Sequence, residues 1–297
     1  MLPQIEGETH SVRRLWLLVA LLALQGIGLA RADEDWRDVD PNNLMLIDVK
    51  YGRIAIELFP EFAPAHVKRM RALARAHFYD GLSFYRVIDG FVAQGGFGEG
   101  DDKKLKEWPA LKAEFDHDER GLEFTSLNSP DLYAPEVGHT HGFPSARDVK
   151  DGKVWLVHCP GIVAMARDNN PDSGGTEFYV VIGQAPRRLD RNLTVFGHVI
   201  EGMQYLQKLN RGDPNVESGV IQDESQRDAI LRVQIASDMP RAERPRFQVM
   251  KTDGPAFTTK KEERRNAVSE FWLHQPPKVL EICSVAIPAR RTPEDKH

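Results

Sequence analysis

An all-β sandwich or barrel is the fold class this sequence predicts, and three observations predict it. Short runs with an apolar side chain at every second position recur along the chain, the mark of strands with one buried face. Few segments show the 3.6-residue period of an amphipathic helix. Glycine and proline, 23 and 19 of 297 residues, punctuate the runs as turns. Many short strands, few helices and frequent Gly/Pro turns read together as a mainly β domain.

Taken in order, residues 44–58 (LMLIDVKYGRIAIEL) alternate on both sides of Tyr51-Gly52 and predict a β-hairpin. Pro60 and Pro64 bracket a turn. Residues 63–77 then change period: Val67, Met70, Leu73 and Ala74 share one helical face, and Pro64 suits an early helical position. Residues 82–94 return to strand character around an Asp89-Gly90 turn, and Gly95-Gly96 closes them. Residues 97–158 are rich in Asp, Glu, Lys and Pro and read as a long decorated loop with short strands, without a core of its own. Further strands are expected at 154–157, 161–166, 177–182, 195–199 and 230–235, with a short helix at 202–209. After Pro240 the composition shifts to a linker and a C-terminal extension made of residues 247–249, a basic patch at Lys260-Lys261 and Arg264-Arg265, and residues 279–287, with a candidate helix at 262–273.

Residues 1–32 stand apart. Arg13-Arg14, the uncharged apolar run 15–29 and Ala30-Arg31-Ala32 have the pattern of a secretory signal peptide. The run is shorter than the roughly 20 residues a spanning helix needs, so cleavage after Ala32 and an exported, periplasmic address are expected, with no stable membrane insertion afterwards. The expected organisation is therefore 1–32 signal peptide, 33–43 N-terminal arm, 44–239 main domain with the insert at about 97–158, and 240–297 extension. A net charge of −5, with 41% hydrophobic and 28% charged residues, is ordinary for a globular protein and gives no sign of a nucleic-acid partner. Cys159 and Cys283 suit either a disulfide between domain and tail or two separate buried thiols; pairing needs close Cα atoms, which a sequence does not show.

Most familiar chemistry finds little support. Glu136, His139 and His141 have metal-compatible spacing, but they sit in a Pro-rich loop and catalytic zinc needs three rigidly placed ligands. No G-x-S-x-G or phosphate-binding G-x-x-x-x-G-K-[ST] occurs, and neither cysteine neighbours a nucleophile motif. No metal or cofactor is implied. What stands out is one cation, Arg86, in the apolar stretch 78–96 (FYDGLSFYRVIDGFVAQGG), and an apolar wall from Phe178, Tyr179, Leu189 and Phe196 in the stretch 161–199. A strand arginine is by default a structural ion-pair partner; the density of rings around this one points elsewhere.

The stretch 78–96 resembles the F-Y-D-G-x-x-F-H-R-V-I-x-G-F-x-x-Q-G-G signature of the cyclophilins. GIVAMAR, PDSGGTEFYVVIG, LD and TVFGHVIEGM, in that order, resemble their second signature. The resemblance covers about residues 44–235. It implies a closed eight-stranded antiparallel β-barrel with two capping helices, here carrying a long insert and a C-terminal extension. It also implies peptidyl-prolyl cis-trans isomerase activity on proline-containing polypeptides, by an exported, bacterial-like member that assists folding. Arg86 then matches the catalytic cation and Phe91 the floor of the proline pocket. Gln94 holds the substrate backbone, Val92 and Tyr179 stand where Met and Phe are usual, and Leu189 matches the pocket Leu. The backbone of Ala166 and Arg167 binds the residue before proline, and Gly174 and Gly175 line the entrance to a neighbouring pocket.

Four further positions depart from the pattern. Glu177 replaces Gln, and a carboxylate there either orients Arg86 or holds it away from substrate. The second possibility defines an alternative function, a proline-binding chaperone module of low activity. Leu193 replaces the pocket His and Tyr85 another His. Arg188 replaces the Trp that helps bind cyclosporin, so weak or no cyclosporin binding is expected. A monomer is expected.

Overall fold

The computed structural model describes residues 34–98 and 106–292; the signal-peptide expectation lies outside them. Three antiparallel sheets account for the strands. The main one contains β2 (Leu44–Val49), β3 (Gly52–Leu58), β4 (Ser83–Val87), β5 (Val92–Gly96), β11 (Ile162–Met165), β12 (Phe178–Val181), β13 (Val195–Glu201), β14 (Asp228–Ala229) and β15 (Arg232–Ile235), numbered along the whole chain, in the order β14-β4-β5-β12-β11-β13-β3-β2-β15. Its two edges meet on one stretch of chain. Asp228 pairs with Phe84 at the β4 edge, and four residues on, Arg232 pairs with Asp48 at the β2 edge. Between them Ile230 bonds Leu82 while Leu231 donates to Asp48. Counting β14 and β15 as one bent strand gives the eight-stranded curled sheet that the resemblance implies.

The hairpin β2–β3 forms where alternation predicts it. Its turn depends on Gly52: φ is +145°, and a Cβ there would lie 2.4 Å from the Tyr205 ring. The inner face of the sheet packs Met45, Ile47, Ile54, Ile56, Phe84, Val163, Phe178 and Phe196. The helix Pro64–Arg75 lays Val67, Met70, Leu73 and Ala74 onto this core, the four residues its period selects, and packs on β15. The short helix Met203–Leu206 packs against β3.

The insert differs from the expected loop. β6 (His117–Asp118), β7 (Thr125–Ser126), β8 (Glu136–Thr140), β9 (Phe143–Asp148) and β10 (Lys153–Leu156) form a five-stranded sheet, order β6-β10-β9-β8-β7. Its apolar face (Leu127, Val137, Phe143, Ala146, Trp155) closes against barrel residues Phe59, Phe62, Ala164 and Tyr179 and against Phe257, Leu280 and Ile282 of the extension. The core is shared among three parts of the chain, so no single part shows a complete apolar face in sequence.

The third sheet joins the two ends of the described chain: β1 (Trp36–Asp38) pairs with β16 (Phe247–Met250), which pairs with β17 (Ala289–Arg291). The extension's helix runs Pro255–Arg265, earlier than the expected 262–273, because Pro255 starts it and Asn266 ends it. Two of its basic residues are tethers: Lys261 is buried with Nζ on Ser126 O, and Arg265 donates to Leu127 O and Ser129 Oγ. Cys159 and Cys283 are disulfide-bonded, with Cα atoms 5.0 Å apart, which settles the open alternative and fastens the extension beside the barrel.

Candidate active site

Strand register places the site. Arg86 on β4 pairs with Gln94 on β5, Gln94 with Tyr179 on β12, and Tyr179 with Ala164 on β11. Side chains directly opposite in an antiparallel sheet share a face, so a cation, an amide and an aromatic ring stand in one row. Val92, two residues from Gln94, lies on the same face. Phe91 sits at the end of the β4–β5 hairpin, where its carbonyl accepts from Ile182 N (2.9 Å). Phe91, Val92, Ala166, Tyr179 and Leu193 belong to one apolar cluster. Leu189 lies half-buried on the adjoining turn, outside that cluster.

Arg86 is half-buried, and loss of water lowers its pKa. Its Nε donates to Ser218 O (2.8 Å) and its Nη1 to Gln94 Oε1 (3.0 Å). A guanidinium has five donors; among the described residues none accepts from Nη2. A fixed cation with spare donors therefore stands beside an apolar wall.

Glu177 does not neutralise it. The carboxylate accepts from Phe97 N (2.7 Å) and Gly98 N (3.3 Å), and it lies over Gly96, whose φ of +146° and missing Cβ make the room. Burial raises its pKa while those amides and Tyr85 oppose the shift. Its link to Arg86 is indirect and ordered. Arg86 donates to Gln94 Oε1, Gln94 Nε2 donates to Tyr85 Oη (2.6 Å), and Tyr85, whose pKa burial pushes up, feels the Glu177 charge as a second cause. This chain fixes the orientation of the Gln94 amide. The quenched-arginine alternative required a close Arg86–Glu177 pair; among the described residues there is none, and the geometry favours the orienting role.

A second network was not visible in sequence. The Tyr179 hydroxyl meets His158 Nε2 (2.9 Å), His158 Nδ1 meets Asp190 Oδ1 (3.0 Å), Arg187 Nε donates to Asp190 Oδ2 (2.6 Å), and Arg187 forks onto Asp131 (2.9 Å twice). These charged groups are nearly fully buried, where an intact pair is tolerated and a broken one is costly. The network ties the pocket ring to the loop bearing Leu189 and Leu193 and onward to the insert. Only the extra hydroxyl of Tyr179, which demands a partner when buried, signalled it.

Arg167 turns its guanidinium to Asn192 O (2.9 Å) and over the Phe115 ring (5.5 Å), beside an open cleft of about 520 Å³ lined by Ala113, Phe115, Asp116, Arg191 and Asn192. Arg188 is exposed. The three residues with metal-compatible spacing diverge: His139 is buried edge-on to Phe257, His141 is near Glu61 and Glu123 (3.5 Å each), and Glu136 pairs with Arg147 (2.6 Å).

Residues 44–235 match the family model described as cyclophilin type peptidyl-prolyl cis-trans isomerase/CLD. A probable peptidyl-prolyl cis-trans isomerase of Brucella suis is 29% identical over 67% of this chain and 85% of its own length. Peptidyl-prolyl cis-trans isomerase B of Bacillus subtilis is 32% identical over 54% of this chain and 85% of its own. The crystal structure of cyclophilin AquaCyp293 from Hirschia baltica is 30% identical with a TM-score of 0.71, covering 88% of this chain and 95% of that one. That coverage exceeds the barrel, so the likeness extends into the insert and the ends.

Proposed function

The chain belongs to the cyclophilin-type peptidyl-prolyl cis-trans isomerases, an enzyme family, and from that premise we propose that Arg86 drives X-Pro rotation here, in exported polypeptides whose folding the enzyme assists. The observation that carries this is the row Arg86–Gln94–Tyr179, a cation with unused donors fixed next to the apolar cluster that holds Phe91, Val92, Tyr179 and Leu193.

An X-Pro bond resists rotation because the nitrogen lone pair is delocalised into the carbonyl, with a barrier of about 18–20 kcal/mol. Bringing exchange from tens of seconds to milliseconds requires about four decades, or ~5.5 kcal/mol. No covalent step is needed. Twisting the amide makes the proline nitrogen pyramidal and localises its lone pair. A donor from Arg86 aimed there makes a bond present only in the twisted state, which lowers the barrier instead of tightening binding. A charge-assisted hydrogen bond contributes about 1.5–3 kcal/mol. Holding the ring against Phe91, Val92, Tyr179, Leu189 and Leu193, with the flanking backbone on Gln94, Ala166 and Arg167, supplies the remainder by positioning.

Export is supported by the signal pattern of residues 1–32 and by the Cys159–Cys283 disulfide, which suits an oxidising compartment. Among the described residues no helix is long and apolar enough to cross a membrane. Arg188 at the position of the cyclosporin-binding Trp supports weak cyclosporin affinity. The reading is tested by refolding of a client limited by proline isomerisation: the natural protein accelerates the slow phase and Arg86→Ala does not. Equal acceleration by both would sink it.

A further inference from the structure

Large apolar side chains left in water are unevenly spread over the described residues. Val149, Val216 and Leu231 stand singly, as on any protein surface. The others fall in two short segments: Leu132 (97% exposed) and Tyr133 in the insert, and Val268, Phe271 (87%), Leu273 (96%) and Val279 beyond the helix Pro255–Arg265. The second segment is ordered. Phe271 N donates to Ser269 Oγ (3.2 Å) and Trp272 N to Ser269 O (3.1 Å), a turn that holds Phe271 and Leu273 outward.

The two segments meet. Arg265, where the C-terminal one begins, donates to Ser129 Oγ (3.1 Å) and to Lys278 O (3.2 Å); Leu280 N, where it ends, donates to the same Ser129 Oγ (2.9 Å). Both ends are thus pinned to the stretch that leads into Leu132 and Tyr133. That stretch is tied in turn to the candidate active site. Arg187 forks onto Asp131 and lies 5.1 Å from the Tyr133 ring, and it opens the short helical turn Arg187–Leu189 that carries Leu189. The apolar strip therefore adjoins the Arg86 site at Leu189 and continues past Tyr133 and Leu132 to the segment bearing Phe271 and Leu273.

Charge and position narrow what such a strip binds. Exposed Lys260, Arg264 and Lys278 are matched by exposed Glu263, Glu270 and Glu281, so an anionic bilayer gains no electrostatic pull to add to a few inserted side chains. A polypeptide held at the Arg86 site brings its own apolar side chains alongside. A tetrapeptide, about 13 Å long when extended, is used up in spanning a proline and its neighbours; an unfolded chain reaches on. We propose that Leu132, Tyr133, Val268, Phe271 and Leu273 form a second client site, which holds apolar stretches of an unfolded polypeptide while one of its X-Pro bonds turns at Arg86. The proposal rests on the Arg86 reading of the site. Two weak contacts on one chain act together as a strong one, so the strip lowers KM for unfolded proteins and leaves short peptides unaffected.

The test compares the natural protein with the double variant Phe271→Ser, Leu273→Ser and, separately, with Leu132→Ser. Two substrates are used: an X-Pro tetrapeptide, and an unfolded protein whose refolding is limited by one X-Pro bond. The replaced side chains are exposed, so the variants keep the fold, and tetrapeptide kcat/KM is expected within about 2-fold of the natural value. On the unfolded protein KM is expected to rise about 10-fold or more with kcat unchanged. A natural KM in both variants refutes the proposal. An equal fall on both substrates makes the residues structural and also refutes it. So does a dimer in sedimentation, or capture by phosphatidylglycerol vesicles, that the double variant abolishes, because the strip then belongs to a second copy or to a membrane. Failure of the underlying reading looks different: Arg86→Ala would leave tetrapeptide turnover unchanged, whatever the strip variants do.

Discussion

Replacing Glu177 with Gln separates the two roles a carboxylate beside Arg86 could have. Were it a quencher, removing the charge would release a pair worth about 4 kcal/mol at an effective dielectric of 20, or roughly a thousandfold gain in available cation. The structure predicts no gain. Glu177 accepts from Phe97 N, Gly98 N and Thr176 Oγ1, and among the described residues Arg86 bonds Gln94 and Ser218 instead. A glutamine keeps one acceptor but turns an NH2 toward the other donors. A buried donor left unpaired costs about 1–3 kcal/mol, felt as loosening of residues 97–98 beside the site. Isomerisation of a tetrapeptide, followed by exchange spectroscopy to avoid a coupling protease, should therefore show kcat/KM unchanged or reduced by up to about 10-fold. An increase of about 10-fold or more would refute the reasoning and restore the quenched-arginine module.

Three further outcomes follow from the buried groups. His139 has its pKa depressed to about 3 by burial first and the Lys261 charge second, so the fold holds it neutral while the unfolded chain takes up the proton below about pH 6.5. Its contribution is intact above that pH and is lost as pH falls from about 6.5 toward 3, by up to about 5 kcal/mol; denaturant unfolding from pH 7 to 4 should show that slope, and His139→Leu should flatten it. Reducing Cys159–Cys283, which closes a 124-residue separation, should cost up to about 5 kcal/mol in the same unfolding measurement, by loop-entropy arguments. Tyr179→Phe leaves His158 Nε2 without its buried partner and should cost about 1–3 kcal/mol of stability while keeping the aromatic ring in the row, so kcat/KM should drop by less than about 10-fold.

What could be read in advance was what is local. The stretches 78–96 and 161–199 carry both the strand alternation and the site residues, and the row Arg86–Gln94–Tyr179 needs only correct register to assemble. The face of helix Pro64–Arg75 follows from Val67, Met70, Leu73 and Ala74 alone. The insert sheet escaped because Pro144, Ser145 and Arg147 interrupt β9 and because part of its core, Phe257, Leu280 and Ile282, lies more than a hundred residues downstream of β8. The Arg187–Asp131 fork spans 56 residues and the His158–Asp190 contact 32, distances at which no spacing rule operates. Pro255 is the start signal of the last helix, and the charged run 260–265 lies at its end and not at its beginning.

The central claim is that the Arg86 guanidinium bonds a proline nitrogen only when the amide is twisted. It is tested most directly by kcat/KM for X-Pro isomerisation in Arg86→Ala, compared with the natural protein at matched circular dichroism. Loss of one charge-assisted bond from the transition state, about 1.5–3 kcal/mol, predicts a fall of about 10- to 150-fold carried by kcat. A folded Arg86→Ala protein within about 3-fold of the natural rate, or one impaired in KM alone, would contradict it.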